Sequence, residues 1–173
     1  MTTSLSAINW TLLMLRVVVG LTVSAHGYQK YFLGGRIPGT AGWFESLGMK
    51  PGKFHAYTAA TTEITAGLLF AAGLLTPLAA AGVVGIMFVA GFIHRHNGFF
   101  VFKEGIEYNL VLAVVVVTVA TIGPGRYSLD NALSLTPHRI NGWRGFGISA
   151  GLGLLTSIGL LAIFYRPPAK HPS

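Results

Sequence analysis

The sequence predicts an all-α integral membrane protein, a helical bundle with a four-helix core and a fifth, C-terminal transmembrane helix. Three observations point there. Of the 173 residues, 52% are hydrophobic and only 10% are charged, with a mean hydropathy of +0.61. Soluble domains carry about 25% charged residues, so this chain cannot cover a globular surface with polar groups. Five apolar runs of helix length follow one another, and Gly- and Pro-rich segments separate them.

The first run, Ile8 to Leu33, is long enough to cross a bilayer. The preceding MTTSLSAINW has no basic region and the run is longer than a signal-peptide core, so it reads as a retained span. A connector follows, GGRIPGTAGWFESLGMKPGKF, with room for a short helix from Thr40 to Leu47. Thr40 is placed to cap that helix, and Trp43 and Phe44 suit the membrane interface. The second span is His55 to Leu75, ended by Pro77. The third, Leu78 to His94, is rich in Ala, Gly and Val. RHNGFFVFKEG turns the chain into the fourth span, Ile106 to Ile122, which GPG at 123–125 stops. Ser128 then reads as a helix cap, with Asp130 well placed for a helix dipole. The last span is Gly145 to Tyr165. Its Gly147 and Gly151 form a GxxxG pair, expected first to serve packing within the subunit and alternatively a dimer or partner interface. Residues 1–139 thus form the four-helix core with a short interfacial segment. Residues 140–173 add one helix and a tail.

The formal charge is +7, but the basic residues form no run. Loop positions near lipid headgroups account for them better than nucleic acid does. Lys30, Arg36, Lys50, Lys53, Arg95, Lys103, Arg166 and Lys170 fall on one side of five spans; Arg126, Arg139 and Arg144 fall on the other. The positive-inside rule then puts the N-terminus outside and the C-terminus in the cytoplasm of an inner (plasma) membrane. There are no cysteines, which rules out thiol catalysis, disulfides and cysteine-ligated clusters within this chain. No His pair has zinc-like helical spacing, so no metal site is expected.

The polar residues inside the spans carry the functional question. Arg16, Gly20, Val23, Gly27 and Lys30 fall on one helical stripe about 80° wide, with His26 about 40° beyond. An intramembrane charge faces protein or a wet cavity. Glu63 lies on a face of small residues that admits another backbone. Arg16 and Glu63 enter from opposite sides to a similar depth, ~12 Å each, and an Arg16–Glu63 ion pair is the expected contact. His26, Lys30, His94, His96 and Glu107 share the opposite leaflet from the N-terminus, with Glu63 just above. His26, Glu63, His94 and Glu107 are the candidate ligand-binding residues, in a pocket expected between the first, second and fourth spans. The bland alternative is an ordinary interfacial network of polar residues.

The same residues resemble the DoxX family of small bacterial membrane proteins. The resemblance rests on Arg16, Gly20, His26–Gly27 and Lys30, the loop GTAGWFESLGMKPG at 39–52, and Glu63. It continues in GLLTPLAA at 73–80, His94 with NGFF at 97–100, GIEYN at 105–109 and GPGRYSLDNAL at 123–133. It covers about 8–133 and leaves the last helix without a counterpart. It implies a four-helix core and a link to respiratory redox chemistry, since the family includes the small membrane subunit of thiosulfate:quinone oxidoreductases. Three roles follow as alternatives: an accessory or anchoring subunit of a redox membrane complex, a quinone-binding oxidoreductase subunit, and a small transporter. Missing inverted repeats argue against the last. The partners expected are the bilayer and other protein subunits, with no nucleic acid, and quinone is the one cofactor implied.

Overall fold

The computed structural model describes residues 4–134 and 140–167. Arg139 and Lys170, counted in the charge distribution above, lie outside the described residues, as does the boundary at 139. The described chain is helical: α1 (Leu5–Phe32), α2 (Arg36–Ser46), α3 (Gly52–Ala72), α4 (Thr76–His94), α5 (Glu107–Ile122) and the single turn α6 (Leu129–Ala132). The last helix, α7, covers Trp143–Phe164 and contains a π-helical stretch, Gly147–Leu152. α4 lies centrally, with α3, α5 and α7 packed against it. α1 packs along α3 and touches α5, and α2 lies across α3.

Among the described residues, three helices are long and apolar enough to cross a membrane by themselves: Leu5–Phe32, Thr76–Asn97 and Trp143–Phe164. The other two expected spans differ from that pattern for separate reasons. α5 is apolar but has 16 residues, about 24 Å of helix against a hydrocarbon core of ~30 Å. α3 has 21 residues and is more polar, carrying His55, Glu63 and several threonines. Its neighbours α1, α2 and α4 pack against it, and His55 and Glu63 are buried among them. The short interfacial helix is longer than expected and begins at Arg36. Thr40 does not cap it; its hydroxyl donates to the Arg36 carbonyl from inside the helix.

Small residues let α1 and α3 touch backbone to backbone, the way helices associate without a hydrophobic drive between them. A Cβ on Gly27 would stand 2.6 Å from the Ala60 carbonyl, and one on Gly20 would stand 2.7 Å from the Ala71 nitrogen. On α7 the close approaches belong to Gly145, against the Ala120 carbonyl, and Gly153, against Val84. Gly147 and Gly151 have open space beside them. This corrects the first reading of the GxxxG pair, which does not pack within the subunit. The π-helical stretch shifts the face presented on either side of it, and Gly147 and Gly151 both lie within it.

One polar junction ties the end of the bundle that holds the N-terminus. Arg16 is fully buried. Its guanidinium donates to the Tyr127 carbonyl and, at 3.4 Å, to the Ala71 carbonyl in the last turn of α3. Gly73 ends α3 in a left-handed conformation (φ 65°), and a side chain there would run into the guanidinium. Asp130 is also fully buried. Its carboxylate accepts from the backbone nitrogens of Leu75 (2.8 Å) and Thr76 (3.0 Å) and from the Thr76 hydroxyl (2.8 Å). Its own N–H donates to the Gly73 carbonyl at 2.8 Å. Asp130 therefore serves the N-terminus of α4, where the helix dipole and free N–H groups favour an anion. Ser128 caps the turn that carries it, accepting from the Asn131 nitrogen at 3.2 Å.

Asp130→Ala removes the acceptor for three donors in a dry site, each lost partner costing ~1–3 kcal/mol. Thermal unfolding in mild detergent should show Asp130→Ala well below wild type, by about 3 kcal/mol or more. Asp130→Asn, which keeps one acceptor oxygen, should fall between them. Equal melting of all three would rule out this junction as a fold determinant.

Candidate functional site

The close packing of α1 on α3 fixes which polar residues can meet. Gly27 lies against Ala60 and Glu63, and Gly20 lies against Gly67 and Ala71. In this antiparallel register Arg16 faces the C-terminal end of α3. Glu63 is then about nine residues away from it, roughly 13 Å along the axis. The expected Arg16–Glu63 ion pair is therefore not formed. Glu63 instead pairs with Lys30, one turn beyond Gly27. The Lys30 Nζ donates to both carboxylate oxygens, at 2.8 and 2.7 Å. Glu63 is 5% exposed, and Lys30 is half-buried. Sequence reasoning had placed Lys30 on the correct stripe but equated depth in the membrane with contact, and only the helix register decides contact.

The other candidate residues separate. His26 is exposed on the outer side of α1, and its Nε2 hydrogen-bonds the Tyr108 hydroxyl of α5 at 3.1 Å. His94 hydrogen-bonds the Ala90 carbonyl through Nδ1 at 2.9 Å, and its ring stacks on Trp43 with centroids 6.1 Å apart. Glu107 turns back on the loop before its own helix and accepts from the Val101 nitrogen at 3.0 Å. His96 is exposed in the 3-10 turn after α4. A common depth does not set a common direction around each helix axis, and these side chains point different ways.

Two cavities lie at this end. The first, about 320 Å³, is bounded by α3, α4 and α7, with Trp43 and Phe44 of α2 across its end. The expected pocket between α1, α3 and α5 is thus replaced by one on the other side of α3. Ala59, Gly82 and Gly85 leave the room, and Ile86, Val89, Ile93 and Leu160 make the walls apolar. Lys30, Glu63, His55, Thr62, Thr156 and Ser157 supply the polar groups. The second cavity, about 430 Å³, is lined by Trp43, His94, Glu104, Tyr108 and Asn109 among others. Glu63 is the candidate residue on the first cavity and His94 the one on the second; His26 and Glu107 line neither. His55 and the α7 hydroxyls were missed. His55 had been read only as a helix start, and nothing in the spacing of α7 told which of its faces met α4.

α7 closes the first cavity through a clasp at its end. Met49 and Tyr165 form an isolated antiparallel bridge, and the Arg166 nitrogen donates to the Gly48 carbonyl at 2.8 Å. Met49, Phe44, Ala56 and Leu161 form a small apolar cluster beside it. Among the described residues, no group of three or more His, Asp or Glu side chains could hold a metal ion.

Removing one partner of a buried ion pair strands the other charge, at about 3–5 kcal/mol. Lys30→Met should therefore destabilise the protein by that order in detergent unfolding, and adding Glu63→Met should recover most of the loss. A double variant as unstable as the sum of the two single ones would mean that the pair is not coupled.

An uncharacterized membrane protein of Mycobacterium tuberculosis (strain ATCC 25618 / H37Rv), Rv3486, is 29% identical over 135 residues, covering 72% of this chain and 82% of that protein. No solved structure matches the chain. The DoxX family model matches residues 11–96, from α1 through α4 and the turn after it. With the Arg16, Lys30 and Glu63 positions inside that match, which spans just under half of the chain, membership of the DoxX family of membrane proteins is supported.

Proposed function

We propose that this chain is an integral membrane subunit of a respiratory redox assembly, in which the cavity between α3, α4 and α7 receives a quinone. The observation that carries this reading is the partly buried Lys30–Glu63 pair at the edge of an otherwise apolar cavity of about 320 Å³. That volume and lining match small-molecule sites, which bury an apolar body and orient it with a few polar groups. An ionised pair inside a membrane is costly and usually marks a ligand or proton path. The Lys30 ammonium can donate to a quinone carbonyl, and the lysine and carboxylate can exchange protons with the ring oxygens. Electron donor and acceptor belong to partner subunits in this reading, since the chain has no cysteine to ligate an iron–sulfur cluster.

An accessory, anchoring role is supported by a separate observation. The turn between α4 and α5 exposes Phe99, Phe100 and Phe102 (47%, 53% and 76%) beside Arg95 and Lys103, a composition suited to a membrane surface or a docked subunit. The orientation proposed is N-terminus outside and C-terminus in the cytoplasm of the plasma membrane. The cationic ends of α1, α2, α3 and α4 lie with the clasp of Tyr165 at one end of the bundle, while Arg126 lies beside Asn9 at the other, which supports it by the positive-inside rule.

Trp43 lines the cavity, so its fluorescence reports occupancy once Trp10 and Trp143 are replaced by Phe. In nanodiscs, decylbenzoquinone should quench this signal saturably. A Cβ on Gly85 makes only ordinary contacts, 3.4 Å from the Gly153 carbonyl, so Gly85→Leu should fold and fill the cavity. It should weaken quinone binding by about tenfold or more. Unchanged binding in folded Gly85→Leu would leave the anchoring role and remove the cavity from it.

A further inference from the structure

His55 stands in the first turn of α3 and is 3% exposed. Aromatic rings enclose it, with centroids of Phe44, Phe54 and Phe164 at 6.0, 5.2 and 5.1 Å. The backbone of Lys50 lies beside the imidazole, and Nε2 has no partner among the described residues. With the ring proton on Nδ1, toward that backbone, Nε2 is a bare acceptor. Buried polar atoms rarely stay unpaired, and those that do call for a specific explanation.

Four of the other polar groups of the cavity are already engaged within the protein. Lys30 and Glu63 hold each other. The Thr156 and Ser157 hydroxyls donate to the Leu152 and Gly153 carbonyls one turn back. The group that the cavity lacks is a hydrogen-bond donor at His55. A quinone ring has two carbonyl acceptors and cannot supply one; a hydroquinone carries two hydroxyl donors. Nε2 facing a carbonyl would set lone pair against lone pair, whereas a ring hydroxyl would satisfy it.

We propose that His55 accepts a hydrogen bond from a ring hydroxyl of the bound ligand, so that the cavity holds the hydroquinone form in preference to the quinone. This rests on the quinone reading of the cavity and adds to it which redox form is held and by which residue.

The test uses the full chain in nanodiscs with Trp43 as the only tryptophan, titrated anaerobically with decylhydroquinone and with decylbenzoquinone. Wild type should bind the hydroquinone about tenfold more tightly, the order expected from one hydrogen bond against none. His55→Phe, which keeps an aromatic ring among aromatic neighbours, should bring the ratio near one. His55→Gln, which restores an acceptor close to the position of Nε2, should recover part of it. A wild-type ratio of one, or a preference that survives in His55→Phe, overturns the role of His55 and leaves the cavity reading intact. Failure of either compound to bind wild type overturns both. Should His55→Phe not fold, the wild-type ratio and the response of His55→Gln decide the matter.

Discussion

The buried junction of Arg16 and Asp130 is the constraint on which the rest of the bundle depends. Asp130 holds the turn that links α3 to α4 through the Leu75 and Thr76 nitrogens. Arg16 holds the end of α3 to the segment that carries Asp130. The two side chains are near enough for a favourable electrostatic pull between them. In a medium without water, each of these backbone groups needs a protein partner. Charged side chains supply them here in one place, and three separate stretches of sequence are fixed relative to α1 as a result.

That junction also sets what happens at the far end of the bundle. With Arg16 locked opposite the end of α3, the glycine contacts continue down the helix pair in register. Gly27 comes to rest on Ala60 and Glu63, and Lys30 arrives within reach of the carboxylate. A slip by one turn would part Lys30 from Glu63 and put Arg16 against a helix backbone whose carbonyls are already used. The two buried polar sites, at opposite ends of α1, therefore report on a single rigid helix pair.

Much of this was legible in the sequence, and the limits are physical. Apolar runs with Gly–Pro breaks gave the helices, and the Arg16-to-Lys30 stripe gave the face of α1 that packs. The partner of Glu63 could not be read, because depth is one coordinate and contact needs register as well. His26, His94 and Glu107 show the same limit around the helix axis. They share a leaflet, yet one bonds Tyr108, one stacks on Trp43 and one folds back on Val101. His55 to Leu75 was expected to be an ordinary span, yet α3 is not apolar enough to be one by itself; α1, α2 and α4 pack against it. On α7, glycines are so frequent that the GxxxG spacing carried little information, and Gly145 and Gly153 make the contacts instead.

The clasp between Met49 and Tyr165 has a consequence in time. The chain is synthesised from its N-terminus, so α1, α3 and α4 leave the ribosome before α7 exists. During that interval the cavity has no wall on one side, and the small residues of α4 face lipid or the insertion machinery. The site is completed only when the last helix enters and its end pairs with the loop before α3. Any ligand held there can be enclosed by protein only after the whole bundle has been made.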